Sequence, residues 1–227
     1  MDISPDSAIL WQSGPFLLNA TILYTWLVMA VLTVGSWLVT RRLSSEDYPG
    51  RGQNVLETVV ETVQNQIREI SQDDSYRYLP FVGTLFLFIV VSNVLAVVPG
   101  FKPPTGSLST TAALALCVFV AVPVFGVGRQ GPRSYLRQYL KPSPIMLPFN
   151  VVGELSRTLA LAVRLYGNMM SGTMIAAILL GVLPLVFPVV MQLLGLLTGV
   201  IQAYIFAVLA MVYIASAAKR QQRTDAS

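Results

Sequence analysis

Four polar residues recur at helical spacing in an otherwise apolar stretch: Arg157, Arg164, Asn168 and Ser171. Each residue of an α-helix advances about 100°, so positions four and seven apart fall on one stripe. The other faces of this segment carry Leu, Ala, Val, Met and Ile. A guanidinium keeps its proton inside a protein. Placing one at the centre of a bilayer helix costs ~2.5–3.5 kcal/mol on insertion scales. A chain tolerates that cost when the charge has a partner or a task. Glu154 lies three residues before Arg157, within reach of an ion pair along the helix. It is the only acid of the segment, and Arg164 lies about 15 Å of rise beyond it. The counter-ion of Arg164 is therefore expected outside this chain. A fixed cation lowers the pKa of a carboxylate brought beside it, so it would strip a proton or cation from that acid and block a direct leak past the contact. The plainer alternative is a buried structural cation bonded to backbone carbonyls or to Gln202. Arg157 is read as pairing with Glu154 near the interface. Glu154 has two readings, that same pairing or a carboxylate lining a route for ions.

The elements that must hold this stripe are membrane helices. Of 227 residues, 54% are apolar and only 11% charged, against about 25% charged in soluble domains. Just three charged residues, Glu154, Arg157 and Arg164, fall inside apolar runs of membrane length. The expected fold is an all-α polytopic membrane protein, one domain over 1–227. About five membrane helices are expected, with one cytoplasmic amphipathic helix. The spans are read as 16–40, 78–98, 108–128 and two overlong legs, 145–181 and 185–218. A bilayer core takes about 20 helical residues, so the long legs predict a tilted hairpin, with Pro184 and Pro188 at its bend. Gly167, Gly172 and Gly181 on one leg and Gly195 and Gly199 on the other would permit close helix approach. In 52–72 the residues Leu56, Val59, Val60, Val63, Ile67 and Ile70 recur at helical spacing, the mark of an amphipathic helix that lies on its own protein or docks a partner.

Basic residues orient the chain. Twelve lie in 41–77, 129–141 and after Ala218, against Lys102 alone on the other side. The positive-inside rule puts segment 1–15 outside and the tail 219–227 in the cytoplasm. There is no histidine for a proton relay, and the single Cys117 matches no disulfide or metal spacing. No cofactor, bound metal or nucleic-acid partner is expected, and no G-x-x-x-x-G-K-[ST] phosphate loop occurs. Asn93, inside the second span, is read as bonding a neighbouring carbonyl rather than the hairpin. Tyr204 and Tyr213 are read as packing or interface anchors.

Several segments resemble a known family. SRTLALAVRLYGNMMSG is similar to the arginine-bearing helix of subunit a of the F-type ATP synthase, and IQAYIFAVLAMVYIASA to that subunit's final helix. FLFIVVSNVLAVVPG, PPTGSLSTTAALAL and LETVVETVQNQI resemble its second span, the loop and helix that follow, and its amphipathic helix. The resemblance implies a stator subunit that cups a ring of c subunits and is held by b-type peripheral stalk subunits and other ATP synthase subunits. It implies a multi-pass protein of the bacterial plasma membrane, not an enzyme on its own. Two offset half-channels would pass H+ or Na+ to and from ring carboxylates. Arg164 would then be the essential arginine, with Asn168 and Gln202 its polar neighbours and Glu154 on the inner route.

Three positions depart from the family's usual pattern. Thr173 stands where many members carry an acid or histidine, Gly195 where the facing titratable group often lies, and Ser107 where the loop often has an aspartate. The outer route would then rest on Ser171, Thr173 and Gln192. This pattern, with Arg157, resembles the alternative N-type bacterial subgroup and suggests sodium coupling. A competing reading is a stand-alone secondary transporter whose buried arginine binds an anionic substrate, but the paired repeats usual in such folds are missing. An intramembrane enzyme or assembly factor finds no nucleophile–base pair or cofactor motif in the sequence.

Overall fold

The computed structural model describes residues 9–13, 16–41, 58, 60–62, 64–65, 68, 77–98, 100–131, 146–182 and 187–219. Among the described residues five long helices carry the architecture: α1 (Ala20–Thr40), α2 (Leu79–Leu95), α3 (Leu108–Gln130), α4 (Met146–Val182) and α5 (Phe187–Lys219). α1, α3 and α5 are long and apolar enough to cross a membrane. α4, at 37 residues, carries Glu154, Arg157 and Arg164. The architecture is that of an all-α polytopic membrane protein. Of the expected amphipathic helix, Thr58, 60–62, Gln64, Asn65 and Arg68 are helical. The rest of 52–72 lies outside the described residues, as do Pro184 and the tail beyond Lys219.

Two local features correct the sequence reading. The first span was expected to begin at Phe16. Instead β2 (Phe16–Asn19) pairs antiparallel with β1 (Ile9–Ser13), and the helix begins at Ala20. The two strands are separated in sequence by Gly14-Pro15, a strong turn signal. The second difference concerns α2. It has 17 residues, a length of about 25 Å, short of the ~30 Å hydrocarbon core. It gives way at Ala96 to turns and to Gly100, whose φ of +89° suits glycine. The chain then tucks inward: Pro103, Pro104, Thr105, Gly106 and Ser107 are all buried, and the short 3-10 turn Pro104–Gly106 packs against α1, α2, α3 and α4. Irregular backbone at membrane depth is tolerated where protein covers it, and four helices cover this turn.

α5 is the hub of the bundle, packing on α2, α3 and α4, while α1 rests mainly on α2. Neighbours alternate in direction. Tyr78 at the start of α2 stacks edge-on with Phe125 near the end of α3, 5.3 Å between ring centroids. At the opposite end, Tyr24 donates to the Gly100 carbonyl at 3.1 Å and its ring meets Phe101. Lipid tails are as apolar as leucine, so close van der Waals packing drives association in a bilayer. The core fits that logic: Ala115, Ala162, Ala203, Ala207 and Ala210 are buried beside Phe88, Ile89, Leu161, Leu165 and Phe206. The glycines divide unexpectedly. A Cβ at Gly167, Gly172, Gly181 or Gly195 would meet nothing within 4 Å, so these four do not mark close helix contacts within this chain. At Gly199 it would lie 2.8 Å from the Asn93 amide nitrogen. With Ala203 and Ala207, Gly199 forms a small-residue stripe at four-residue spacing.

Candidate functional site

Arg157, Arg164 and Ser171 of the α4 stripe face outward, while Asn168 turns toward α5. Leu161, Ala162, Leu165 and Met169 are buried, whereas Val163, Arg164, Gly167 and Ser171 are exposed. Arg164 thus stands on the outer surface of a membrane-length helix. Among the described residues it has no hydrogen-bonding or ion-pair partner. Arg157 is exposed too, its guanidinium 5.6 Å from the centre of the Tyr213 ring. Tyr213 on α5 therefore braces that cation through its π face. Arg157 and Glu154 line a small polar pocket of about 160 Å³, shared with Phe149, Asn150 and Gly153.

On the side toward α5, Asn168 donates from Nδ2 to the Thr198 carbonyl at 3.3 Å. This bond sets the register of the two antiparallel legs. Arg164 lies four residues back along α4 and Gln202 four residues on along α5, each about 6 Å of rise. The two therefore stand at one level of the hairpin. Gln202 is 6% exposed, and its Nε2 is buried with no hydrogen-bond partner among the described residues. A buried donor left unpaired costs ~1–3 kcal/mol, which marks this level of the hairpin as polar and unfinished within the single chain.

Beyond Asn168 the legs part around a cavity of about 340 Å³. Asn93, Asn168, Thr173 and Gln192 supply its polar lining, among mostly apolar walls that include Met169, Met191 and Phe101. None of its lining residues is acidic or basic. Thr173 donates back to its own helix, to Met169 and Met170 carbonyls, as Ser171 does to Asn168, the usual fate of helix hydroxyls. Ser171 does not line the cavity. Gln192 donates to the Ala96 and Val97 carbonyls at 3.4 and 3.1 Å. These carbonyls follow the end of α2, where helical partners run out, so Gln192 caps the short helix from α5.

Asn93 is the residue that sequence reasoning underrated. It does not serve a neighbouring carbonyl of its own span. Its Nδ2 donates to Gly199 O on α5 at 2.8 Å, and its Oδ1 accepts from the buried Thr105 hydroxyl at 3.2 Å. The signal was a lone amide in an apolar run, which in a membrane marks a bonded or functional position.

The family described as ATP synthase A chain matches residues 22–215, which includes every one of these positions. The chain belongs to that family. Relatives cover almost the full length. It is 64% identical over 222 residues to "ATP synthase subunit a 2" of Acaryochloris marina, covering 98% of this chain and 95% of the relative. It is 59% identical over 217 residues to "ATP synthase subunit a" of Nitrosospira multiformis, covering 96% and 86%. "ATP synthase subunit a 1" of Crocosphaera subtropica is 57% identical over 223 residues, covering 98% and 97%. Membership makes this a membrane subunit of an ATP synthase, not an enzyme by itself.

Proposed function

We propose that the chain is the ion-translocating stator of a rotary ATP synthase and that Arg164 is its essential cation, facing the carboxylates of a c-subunit ring. The observation that carries this reading is an arginine exposed on a membrane-length helix without a described partner. A charge facing lipid is costly and rare, whereas a passing carboxylate would complete it. The carboxylate's pKa falls beside the guanidinium, so the ring acid releases its ion there and cannot carry it straight past. Gln202, level with Arg164 and holding an unpaired buried donor, is the second group at this contact.

Two routes would serve the contact from opposite ends of the hairpin. The larger cavity, with Asn168, Thr173 and Gln192, forms the outer half-channel, and Ser171 lies on the exposed stripe beside it. The polar pocket with Glu154, Asn150 and Arg157 forms the inner one. The excess of basic residues in 41–77, 129–141 and the tail supports an N-terminus outside and a C-terminus in the cytoplasm of a bacterial plasma membrane. The c ring and b-type stalk subunits are the partners that this role requires. The coupling ion is H+ or Na+. An outer cavity lined by neutral dipoles, with no titratable group to relay a proton, favours Na+.

The test is Arg164→Ala in the assembled complex in sealed vesicles. ATP-driven ion transport should fall by about a hundredfold or more, equivalent to ~2.7 kcal/mol, while subunit composition is unchanged. Retained coupling would refute the role. Sodium coupling requires that transport at neutral pH depend on Na+ and resist a protonophore, and sodium-independent, protonophore-sensitive transport would exclude it.

A further inference from the structure

Two amides grip α5 at consecutive carbonyls. Asn168 of α4 donates to Thr198 O, and Asn93 of α2 donates to Gly199 O. Successive residues of a helix are rotated by about 100°, so these carbonyls point to different neighbours, and the two amides approach α5 from different sides. The orientation of the Asn93 amide is fixed by its partners. A carbonyl can only accept, so nitrogen faces Gly199, and the Thr105 hydroxyl donates to the oxygen. Thr105 is fully buried in the turn that α1, α2, α3 and α4 cover. The contact also needs Gly199 to lack a side chain. A Cβ there would lie 2.8 Å from Asn93 Nδ2, 3.0 Å from Cγ and 3.2 Å from Cβ. Sliding α5 by a single residue would break both bonds and drive the Thr198 or Val200 side chain toward the amide.

We infer that Asn93, together with Asn168 and the bare Gly199, forms a clamp that fixes the register of α5, and that Asn93 is thereby a positioning residue for ion coupling. The clamp sits about one turn from Gln202 and holds it level with Arg164. Asn93 acts through the helix it pins and need not touch the transported ion. The inference rests on the proposed pairing of Arg164 and Gln202 with ring carboxylates, and the clamp itself is read out separately.

The experiment uses the assembled complex in vesicles with Asn93→Ala, Gly199→Ala and the two combined. The readouts are ions moved per ATP hydrolysed and, in a Cys117→Ser background, the disulfide yield between Gly172→Cys and Gly195→Cys, which line the cavity from facing legs. Each single variant should lower the ions moved per ATP by about three- to tenfold, as expected for residues in direct contact, with ATP hydrolysis and assembly retained. The combined variant should be no worse than Asn93→Ala, because the added methyl then has room. The disulfide yield should fall with Asn93→Ala. Additive losses, wild-type coupling in Asn93→Ala or an unchanged disulfide yield overturns the clamp. If Asn93→Ala fails to assemble, Thr105→Val leaves the amide in place but unanchored and is judged by the same two readouts. Wild-type coupling in Arg164→Ala would instead overturn the stator reading and leave the disulfide test standing.

Discussion

The two ends of the α4–α5 hairpin are lined by different chemistry. One end holds about 340 Å³ of space with amide and hydroxyl dipoles and no formal charge. The other holds about 160 Å³ with Glu154, Arg157 and Asn150. At the neutral end almost every polar group is committed to backbone: Asn168 to Thr198, Gln192 to Ala96 and Val97, Thr173 to Met169 and Met170. At the charged end Arg157 lies over an aromatic face. The contrast teaches that one end offers open volume and the other offers charge.

That difference can be broken by filling space. Gly172 lines the cavity, and a Cβ there meets nothing within 4 Å. Gly172→Phe should occupy the opening and cut ATP-driven transport by about thirtyfold, ~2 kcal/mol, with the complex still assembled. Normal transport in that variant would show that ions do not use the cavity. A smaller effect is expected from removing charge at the other end. Glu154→Gln should slow transport by about five- to tenfold, ~1–1.4 kcal/mol, if the carboxylate lines the inner route. Unchanged pumping would reduce Glu154 to a structural role.

The cation–π contact sharpens the comparison further. A double-mutant cycle of Arg157→Gln and Tyr213→Leu, read as thermal stability of the detergent-solubilised complex, should give a coupling of ~0.5–1 kcal/mol. Strict additivity would mean that the ring does not hold the guanidinium. The smallest effect belongs to Thr173→Val. The Thr173 hydroxyl already donates to its own helix, so the transport rate should change by about twofold, ~0.4 kcal/mol. A tenfold loss would make this oxygen a direct ion ligand.

Much of this design is written locally in the chain. The polar stripe of α4 follows from residue spacing alone, and so do the long apolar legs. Two features that sequence reading missed depend on a distant pairing. Asn93 bonds a residue 106 positions away, and no local pattern announces that. Gly199 looks the same as Gly167 or Gly195 in sequence, yet it alone of the three meets a neighbour. The shortness of α2 was hidden because apolar residues continue through Val98 after the helix stops at Leu95. Hydropathy reports that a segment avoids water, and it is silent on where the backbone turns. The hairpin of β1 and β2 was hidden in the same way by the apolar run of Phe16, Leu17 and Leu18, read as the start of a span.

The most direct measurement is a structure of the complete complex resolving α4 against its neighbours. The Arg164 guanidinium should lie within about 4–6 Å of a c-subunit carboxylate, the range over which opposite charge favours ionisation, with Gln202 at the same height. A guanidinium folded back onto carbonyls of its own chain, with the ring carboxylates passing elsewhere, would contradict the account.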